Sequence, residues 1–404
     1  PMLEPSDSAE AFMYVQAAFS MSERFDTPVL LRSTTRLSHG QSVVDNPRKR
    51  VMPGEKKFIA NPRKYVMIPA FAREAHVRVE QRLLDMAAWS SRESGFNRIE
   101  MGSDDSVGYI TSGVAYTYLR EIAPEASVLK LGMVNPLPLD LIREFAGKVK
   151  RVVVVEELDP VIENAVRAMG IQCEGKSLLP LTGEFEPGML GSALGLTPLP
   201  DESRAFPVVI PPRPPALCAG CPHRDVFTTL RDLGAIVTGD IGCYTLGVLP
   251  PYSSMDTCID MGASLTVAQG LEVSGGVMDS KPVVAVIGDS TFAHSGITGL
   301  VNAAYNGRKS LILILDNGTT AMTGMQPNPT TGVTIHGKET FSLRYDLLAR
   351  AVGIPEENFR EINAYKPDEI RATLKEMLSK DGLSLVVARG TCVIFKRRQA
   401  KQQK

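Results

Sequence analysis

The sequence predicts a multi-domain α/β protein in which parallel sheets are flanked by helices. Apolar runs of strand length alternate with stretches of helical periodicity through most of its 404 residues, the pattern typical of parallel sheets. Two of the runs, 283–287 and 311–315, lead directly into glycine with acidic or amide residues. The interval between them suits one helix and a return strand. They therefore predict a βαβ unit whose strand ends carry oxygen-bearing side chains.

The remaining elements follow from periodicity and turn residues. Apolar spacing at Phe12, Val15, Ala18 and Phe19 predicts a helix over 9–24. We expect further helices at 72–94, 114–122, 138–145 and 161–169. The predicted strands are 27–32 (buried), 106–112, 127–131, 152–155, 170–173, 235–238, 283–287, 311–315 and 385–388. These elements divide the chain into 1–40, a connector with a long helix at 41–95, an α/β domain at 96–180, a proline-rich linker at 181–217, a second α/β domain at 218–395 and a polar, frayed tail at 396–404.

Composition excludes several classes of function. Apolar residues make up 44% and charged residues 22%, an ordinary globular mixture. The formal net charge of −1 gives no sign of a nucleic-acid or membrane partner. No apolar run is long enough to span a bilayer, and the first residues do not form a signal peptide. The six cysteines do not suit a disulfide framework, so we expect a cytoplasmic protein. Because the sequence starts without Met, we expect a processed or truncated piece.

The two motifs predict a magnesium site. Mg²⁺ prefers oxygen ligands and takes only one or two carboxylates from protein, keeping positions for phosphate oxygens. Asp289 offers a carboxylate, Asn317 an amide oxygen and Thr319 a backbone carbonyl. Each motif alone favours an ordinary strand-to-loop turn. Together, Gly288-Asp289-Ser290 and the later Asn317 match the spacing of the thiamine diphosphate motif.

The cysteines of the last domain predict metal or redox chemistry. Cys218 and Cys221 form a Cys-x-x-Cys pair, which can bind zinc, form a redox disulfide or hold two corners of an iron–sulfur cluster. Zinc would require a second close pair, which is absent from the sequence. Cys243 and Cys392 each follow a predicted strand, so four thiols could converge at one sheet edge on a [4Fe–4S] cluster. Cys173 and Cys258 fit ordinary isolated cysteines.

Seven segments together resemble the alpha subunits of indolepyruvate ferredoxin oxidoreductases, within the 2-oxoacid:ferredoxin oxidoreductase family. The resemblance covers nearly the whole chain. The segments are Pro1-Met-Leu-Glu-Pro-Ser-Asp-Ser8, Pro28-Val-Leu-Leu-Arg-Ser-Thr-Thr-Arg36, Cys218-Ala-Gly-Cys-Pro-His-Arg224, Gly239-Asp-Ile-Gly-Cys-Tyr-Thr-Leu-Gly247, Met261-Gly-Ala-Ser264, Gly288-Asp-Ser-Thr-Phe-Ala-His-Ser-Gly296 and Asp316-Asn-Gly-Thr-Thr-Ala-Met-Thr-Gly324.

The resemblance implies a fold that binds thiamine diphosphate, and it names the domains. Residues 1–40 would be the C-terminal remnant of a pyrimidine-binding domain, 96–180 a domain like the transketolase C-terminal domain, and 218–395 the diphosphate-binding domain. The implied reaction is the oxidative decarboxylation of a 2-oxoacid, indolepyruvate or another aryl pyruvate, to the acyl-CoA. Electrons would pass through the cluster to ferredoxin. The implied partners are coenzyme A, ferredoxin and a beta/gamma-type subunit in a hetero-oligomer.

Individual residues then acquire implied roles. Asp289, Asn317 and the Thr319 carbonyl would hold Mg²⁺, and the four cysteines would hold the [4Fe–4S] cluster. His223 and His294 would lie near the diphosphate or the reacting carbonyl, and a structural role for either histidine is equally open. The residues implied to contact the cofactor are Gly262, Ala263, Ser264, Gly288, Asp289, Ser290, Asn317 and Thr319.

Three departures from the family pattern leave other functions open. The activating glutamate of the pyrimidine-binding domain would lie upstream of Pro1, no ferredoxin-like run of cysteines follows Cys392, and Asp316 replaces the more usual Asn. We therefore expect further domains or subunits to complete the enzyme. The alternatives are a non-oxidative thiamine-dependent decarboxylase or synthase, which does not need the four cysteines, and a catalytically silent scaffold subunit.

Overall fold

The computed structural model describes residues 1–45, 57–196, 211, 213–274 and 281–402. The chain divides into two compact units, Pro1–Val209 and Ile210–Lys404. Within the described residues, no helix combines the length and apolar composition needed to cross a membrane.

The first unit contains two sheets. Its four-stranded sheet has the order β3-β5-β4-β7, in which β3 runs antiparallel to β5 and the other pairs are parallel. A three-stranded sheet has the order β2-β1-β6. The strands are β1 (Met2–Leu3), β2 (Leu30–Leu31), β3 (Arg98–Glu100), β4 (Gly108–Ser112), β5 (Ser127–Leu131), β6 (Met133–Asn135) and β7 (Val152–Val155).

Helices cover both faces of the four-stranded sheet, so its strands β4, β5 and β7 are buried throughout, as the apolar runs predict. The prediction of β5 and β7 is confirmed to the residue. The helices of this unit are α1 (Ser8–Phe25), α2 (Thr35–His39), α3 (Pro62–Tyr65), α4 (Pro69–Arg92), α5 (Gly113–Ile122), α6 (Leu139–Ala146), α7 (Val161–Ala168) and α8 (Pro187–Ala193).

Helix α1 forms where expected but buries a different face. Its buried residues are Glu10, Tyr14 and Met21, whereas Phe19 is 74% exposed. Apolar residues lie all around this helix, so periodicity alone does not single out one face. The packing partners of Tyr14 and Met21 decide which face is buried, among them Phe96 and the chain's single tryptophan, Trp89. The Trp89 ring also packs at a tilt against Phe25, with 5.2 Å between the ring centroids.

Two predicted strands of the first unit are wrong. In place of a buried strand over 27–32, only Leu30 and Leu31 pair, and Leu30 is 62% exposed, because this short strand forms the edge of its sheet. In place of a strand over 170–173, the chain turns at Gly170, whose φ is +77°. One isolated bridge follows, between Val153 and Glu174.

The predicted linker 181–217 is corrected in part. Phe185 and Leu190 are buried in the first unit's core, because the apolar side chains of α8 pack against α5. The first part of the segment is therefore a packed element. Residues 197–210 and 212, which include Pro207 and Pro212, lie outside the described residues.

The second unit is built on one six-stranded sheet. Its order is β12-β13-β11-β10-β8-β9, and every neighbouring pair is parallel. The apolar runs predicted β8, β10, β11 and β13, while two edge strands, β9 and β12, were missed. The strands are β8 (Ile236–Gly239), β9 (Thr257–Cys258), β10 (Val283–Gly288), β11 (Leu311–Asp316), β12 (Phe359–Asn363) and β13 (Ser384–Arg389).

Two separate clusters of buried side chains cover the two faces of this sheet. Strands β10 and β11 are buried at every position, which accounts for their uninterrupted apolar sequence. The helices are α9 (His223–Asp232), α10 (Ala263–Ser274), α11 (Asp289–Thr291), α12 (Ile297–Tyr305), α13 (Tyr345–Ala351), α14 (Pro367–Leu378) and α15 (Val393–Gln402).

The predicted frayed tail over 396–404 is also corrected. Helix α15 begins at Val393 and ends at Gln402, with the Lys396 N–H donating to the Cys392 carbonyl at 2.9 Å. Lysine, arginine, glutamine and alanine favour helix even without burial, so a polar end is compatible with this helix.

Candidate functional site

The predicted site residues follow the carboxyl ends of neighbouring parallel strands. Strand β10 leads into Asp289, β11 into Asn317 and β8 into Asp240, while Cys392 follows β13. Because all these strands are parallel, their carboxyl ends lie at one edge of the sheet, where open α/β sheets place their ligands.

A cavity of about 130 Å³ lies at this edge. Five of the residues predicted to bind cofactor line it, which are Gly288, Asp289, Ser290, Asn317 and Thr319. The predicted Gly262, Ala263 and Ser264 are not part of its lining, although the adjacent Met261 is. The sequence therefore identified part of the cavity lining. It missed Ile241, Gly242, Tyr244 and residues 320–323, and it predicted Cys243 as a cluster ligand rather than as part of this lining.

Asp289 is held in a fixed orientation at the start of α11. It is 3% exposed, and its two oxygens accept hydrogen bonds from the Ser290 N–H at 2.9 Å and from Nδ2 of Asn328 at 3.3 Å. Burial, and then the negative charge of Asp316, raise the pKa of Asp289 well above its usual range. Asn328 was not predicted, because it comes from a loop whose approach to β10 the sequence does not show.

Asn317 and its neighbours form the second half of the predicted magnesium site. Oδ1 of Asn317 accepts the Thr319 N–H at 3.1 Å, and Thr319 is 2% exposed. Asp316 is buried and lies in an ion pair with Arg389, with 2.8 Å between Oδ2 and Nη1. Arg389 thus compensates the second carboxylate at this edge, at the position where the family pattern carries Asn.

Asp240 is a central residue of the site that was not predicted. Its side chain is fully buried, and Oδ2 accepts hydrogen bonds from the Gly262 N–H and the Ser264 hydroxyl, both at 3.1 Å. Oδ1 accepts the Tyr244 hydroxyl. Burial raises the pKa of Asp240. Its position directly after a strand was the available signal.

The four predicted cysteines converge. Cys218, Cys221, Cys243 and Cys392 all line a second, smaller cavity at the same sheet edge. Cys218 and Cys221 precede α9, Cys243 begins a 3-10 turn at Cys243–Val248, and Cys392 lies in the segment after β13. Burial raises the pKa of Cys221 to about 11 and also raises that of Cys243. Cys173 and Cys258 are not part of this lining.

The two cavities share part of their walls. Cys243, Asn317 and Ala321 line both of them. The Cys392 N–H also donates to the Asn317 carbonyl at 2.9 Å. The cysteine set and the predicted magnesium site are therefore contiguous parts of one edge.

The two predicted histidines occupy different surroundings. His223 is 3% exposed, lines the cysteine cavity and packs its ring edge-on against Tyr244 at 6.4 Å. Burial lowers its pKa to about 4, so its imidazole is neutral near pH 7. His294 is exposed on a π-helical turn at Phe292–Gly296, bonds the Ser295 hydroxyl at 2.7 Å and lines neither cavity. Catalytic roles for both remain predictions.

The described residues contain no group of three or more His, Cys, Asp or Glu side chains close enough to hold one metal ion. The predicted magnesium ligands include only one residue of those types. A [4Fe–4S] cluster binds each thiolate through a different iron, so its cysteines stand further apart than ligands of one ion.

The donor sets fit the groups that the sequence implies. Asp289 and Asn317 each retain oxygen lone pairs beyond the hydrogen bonds described, and a divalent cation would stabilise the buried carboxylate of Asp289 in its charged form. The four thiols line a cavity together with Leu217, Leu246 and Val393, and the backbone N–H of His223 donates to Cys221. Iron binding requires thiolates, which metal charge and such N–H donors favour.

Comparison with known proteins agrees with this arrangement. Residues 240–388 match the family described as the thiamine pyrophosphate enzyme C-terminal TPP-binding domain. This range contains the whole cofactor cavity, and the match confirms the predicted α/β fold that binds thiamine diphosphate.

Similar proteins of known name include an indolepyruvate oxidoreductase subunit IorA from Pyrococcus horikoshii, 38% identical over 445 residues, which cover 100% of this chain and 68% of the relative. The subunit of the same name from Methanothermobacter thermautotrophicus is 37% identical over 418 residues, covering 98% of this chain and 66% of the relative. Among solved structures, a 2-oxoglutarate:ferredoxin oxidoreductase from Magnetococcus marinus aligns with 48% of this chain and 72% of its own, at 19% identity and a TM-score of 0.39. From the identity and coverage of these relatives, the chain belongs to the family of indolepyruvate oxidoreductase IorA subunits.

Proposed function

We propose that this chain carries the catalytic centre of a thiamine diphosphate-dependent 2-oxoacid:ferredoxin oxidoreductase. Its substrate would be indolepyruvate or another aryl pyruvate, its products the acyl-CoA and CO₂, and its electron acceptor ferredoxin. The observation that carries the proposal is the shared wall of the two cavities, formed by Cys243, Asn317 and Ala321. A non-oxidative decarboxylase has no need for four convergent thiols beside its cofactor.

Asp289, Asn317 and the Thr319 carbonyl would hold Mg²⁺ on the diphosphate. Ser290 would help to bind the phosphate oxygens, with its hydroxyl oriented by the hydrogen bond from Thr320 at 3.0 Å. Cys218, Cys221, Cys243 and Cys392 would ligate the [4Fe–4S] cluster. When bound, thiamine diphosphate supplies the electron sink for decarboxylation, and the cluster supplies a one-electron path out of the site.

The chain's own residues would orient these groups and exclude water. The buried ring of Tyr244 lies in the wall of the cofactor cavity, and a Cβ on Gly288 would come within 2.6 Å of it. The ring therefore packs directly against Gly288, the residue before Asp289. His223, neutral near pH 7, would contribute a polar but uncharged ring beside the thiols.

The proposed partners of this chain are inferred from the chemistry of the reaction and from the names of the similar proteins. The similar proteins are named as subunits, which supports a hetero-oligomer containing a beta/gamma-type partner. The chain covers about two thirds of their length. Coenzyme A and ferredoxin would be the acyl and electron acceptors.

The first experiment measures iron and electrons. Protein purified anaerobically with its partner subunit should contain about four irons per chain beyond any partner iron, and show iron–sulfur absorption that bleaches on addition of 2-oxoacid and coenzyme A. Iron-free protein that still decarboxylates the 2-oxoacid would overturn the oxidative proposal in favour of a non-oxidative enzyme. Protein that binds no thiamine diphosphate would identify a silent scaffold subunit.

The second experiment tests the magnesium ligand. Asp289→Ala should abolish Mg²⁺-dependent binding of thiamine diphosphate in isothermal titration calorimetry, because the carboxylate is the only charged ligand proposed. Asp381→Ala is the matched control, since Asp381 is an exposed carboxylate paired with Lys309 on the surface. Unchanged affinity in Asp289→Ala would refute the assignment.

A further inference from the structure

The fully buried carboxylate of Asp240 bonds to both sides of the site. One oxygen, Oδ1, accepts the Tyr244 hydroxyl, and Tyr244 follows Cys243 directly in the chain. The other oxygen, Oδ2, accepts the Gly262 N–H and the Ser264 hydroxyl, both at 3.1 Å. A single side chain therefore joins the turn that carries a predicted cluster ligand to the turn that precedes α10.

The backbone of Asp240 strengthens the connection to the cysteine turn. Its carbonyl accepts the Thr245 hydroxyl at 2.7 Å, and that hydroxyl in turn accepts the Gly242 N–H at 3.0 Å. These bonds close the 3-10 turn around Cys243. The hydrogen bonds of Asp240 therefore hold in place the turn that carries the Cys243 thiol.

The ring of Tyr244 contacts residues of both cavities. Its ring is 4% exposed and lines the cofactor cavity, and it also meets the His223 ring, which lines the cysteine cavity. A Cβ on Gly242 would lie 2.3 Å from this ring. The ring therefore has little freedom to move once its hydroxyl is bonded to Asp240.

The second turn is equally constrained. Gly262 has a φ of +102°, a left-handed conformation that favours glycine, and a Cβ added to this residue would lie 2.6 Å from Cβ of Ser295. Ser264 is fully buried, and its carbonyl accepts the Thr238 hydroxyl at 2.8 Å. Met261, immediately before this turn, lines the cofactor cavity.

We propose that Asp240 is a positioning residue that fixes the separation between the cofactor cavity and the cysteine cavity. It acts through its bond to Tyr244 and through its bonds to Gly262 and Ser264. This inference rests on the proposed function. It assigns the separation between cofactor and cluster to a residue that would touch neither.

Three variants separate the two arms of this arrangement. Tyr244→Phe removes the hydroxyl that bonds Asp240 next to Cys243, together with its 3.2 Å contact to the Ile241 carbonyl. Ser264→Ala removes one of the two bonds to the other carboxylate oxygen. Asp240→Asn disturbs both, since an amide cannot accept at both of its ends. Asp256→Asn is the matched control, because Asp256 accepts the Val237 N–H at 2.7 Å at the opposite end of β8 and lines neither cavity.

Three properties of each variant are measured. Calorimetry gives the affinity for thiamine diphosphate with Mg²⁺. Electron paramagnetic resonance during a redox titration gives the midpoint potential of the cluster. In iron-free protein, the rate of alkylation of Cys243, followed by mass spectrometry, reports the thiol's position without any cofactor. Circular dichroism confirms folding of every variant.

We expect Tyr244→Phe to raise the alkylation rate of Cys243 about fivefold and to shift the midpoint potential, as one lost hydrogen bond predicts. Ser264→Ala should weaken cofactor binding about fivefold and leave Cys243 unchanged. Asp240→Asn should change both by at least about tenfold, because its bonds involve a charged group.

The inference is overturned if folded Asp240→Asn leaves both readouts within about twofold of wild type, or if Asp256→Asn reproduces its effects. It is also overturned if Tyr244→Phe and Ser264→Ala act alike. If Asp240→Asn does not fold, the comparison of Tyr244→Phe with Ser264→Ala still tests the inference. Wild-type protein that binds neither cofactor would overturn the proposed function itself, and the inference with it. Wild-type protein that binds both while the variants fail to separate would overturn the inference alone.

Discussion

The backbone N–H of Cys392 donates a hydrogen bond of 2.9 Å to the backbone carbonyl of Asn317. A second such bond runs from the Gly390 N–H to the Asp316 carbonyl, also at 2.9 Å. The segment after β13 is therefore bound through main-chain atoms to the segment after β11. A predicted cluster ligand and a predicted magnesium ligand are held together without the use of either side chain.

Replacing the Cys392 thiol should consequently separate the two functions of this edge. We expect Cys392→Ser to lose most of the iron while thiamine diphosphate affinity stays within about twofold, because the main-chain bond persists. Cys258→Ser, at an exposed cysteine that lines neither cavity, should keep its iron. Iron analysis and calorimetry measure the two properties, and full iron in Cys392→Ser would contradict the ligand assignment.

Asn328 should matter for magnesium although it is not a proposed ligand. Its Nδ2 bonds Asp289, and its Oδ1 accepts both the N–H and the hydroxyl of Thr330, at 2.9 and 2.7 Å. Loss of such an orienting partner typically weakens metal binding about 10- to 100-fold, and we expect this range for Asn328→Ala in Mg²⁺ titrations of cofactor binding. Asn306→Ala, at an exposed asparagine on the end of α12, is the control and should show no change.

Arg389 should stabilise the second unit by compensating Asp316. It also pairs with Glu361 through a 2.8 Å contact, but Glu361 is exposed while Asp316 is buried. Arg389→Met should lower the free energy of unfolding by about 2 kcal/mol, since it leaves a buried carboxylate without its partner. Adding Asp316→Asn should recover most of the loss. If thermal unfolding shows no recovery in the double variant, the cost lies elsewhere in the packing of Arg389.

A buried ion pair in the first unit gives a test of stability. Lys130 is fully buried, and its ammonium donates to Glu10 and, at 2.8 Å, to the Tyr14 hydroxyl. Glu10→Gln should cost about 3–5 kcal/mol, because it leaves the buried ammonium without a counter-charge. The added change Lys130→Met should recover much of this loss. Glu144→Gln, in the exposed pair with Lys148, should change stability by less than about 0.5 kcal/mol in urea unfolding followed by circular dichroism.

The same pair predicts a dependence on pH. Although burial opposes it, Lys130 and the Ser6 donors hold the pKa of Glu10 at about 2, below its ordinary 4.5. Because the folded-state value is the lower one, the stabilisation is present above pH 4.5 and is lost as pH falls towards about 2. The difference in melting temperature between wild type and Glu10→Gln should therefore shrink through this interval. A constant difference would show that Glu10 is not charged in the folded protein.

Local sequence predicted the interior of the fold better than its margins. The runs that became β5, β7, β10 and β11 are buried on both faces, so their apolar character alone locates them. The two edge strands of the second unit, β9 and β12, carry no such signal. Strand β12 has only one buried position, and the sequence did not predict this strand. Helix α15 was misread as a frayed tail because a polar composition does not distinguish the two.

The residues of the candidate site were also predicted only in part. Residues directly after buried strands, such as Asp289 and Asn317, were located because parallel topology brings strand ends together. Asn328 was not, since its contact with Asp289 spans a loop whose path is set by tertiary packing. Asp240 satisfied the strand-end criterion and was still overlooked, because two of its three side-chain partners, Gly262 and Ser264, lie more than 20 residues away in sequence.

The lone indole of the chain, Trp89 on α4, packs at a tilt against Phe25 and edge-on against Phe96. Its intrinsic fluorescence is consequently an optical label for that unit only. Emission excited at the indole band will follow melting of the first unit, whereas ellipticity follows both. Comparing the two signals offers a label-free way to learn whether the units melt as one cooperative body or in succession.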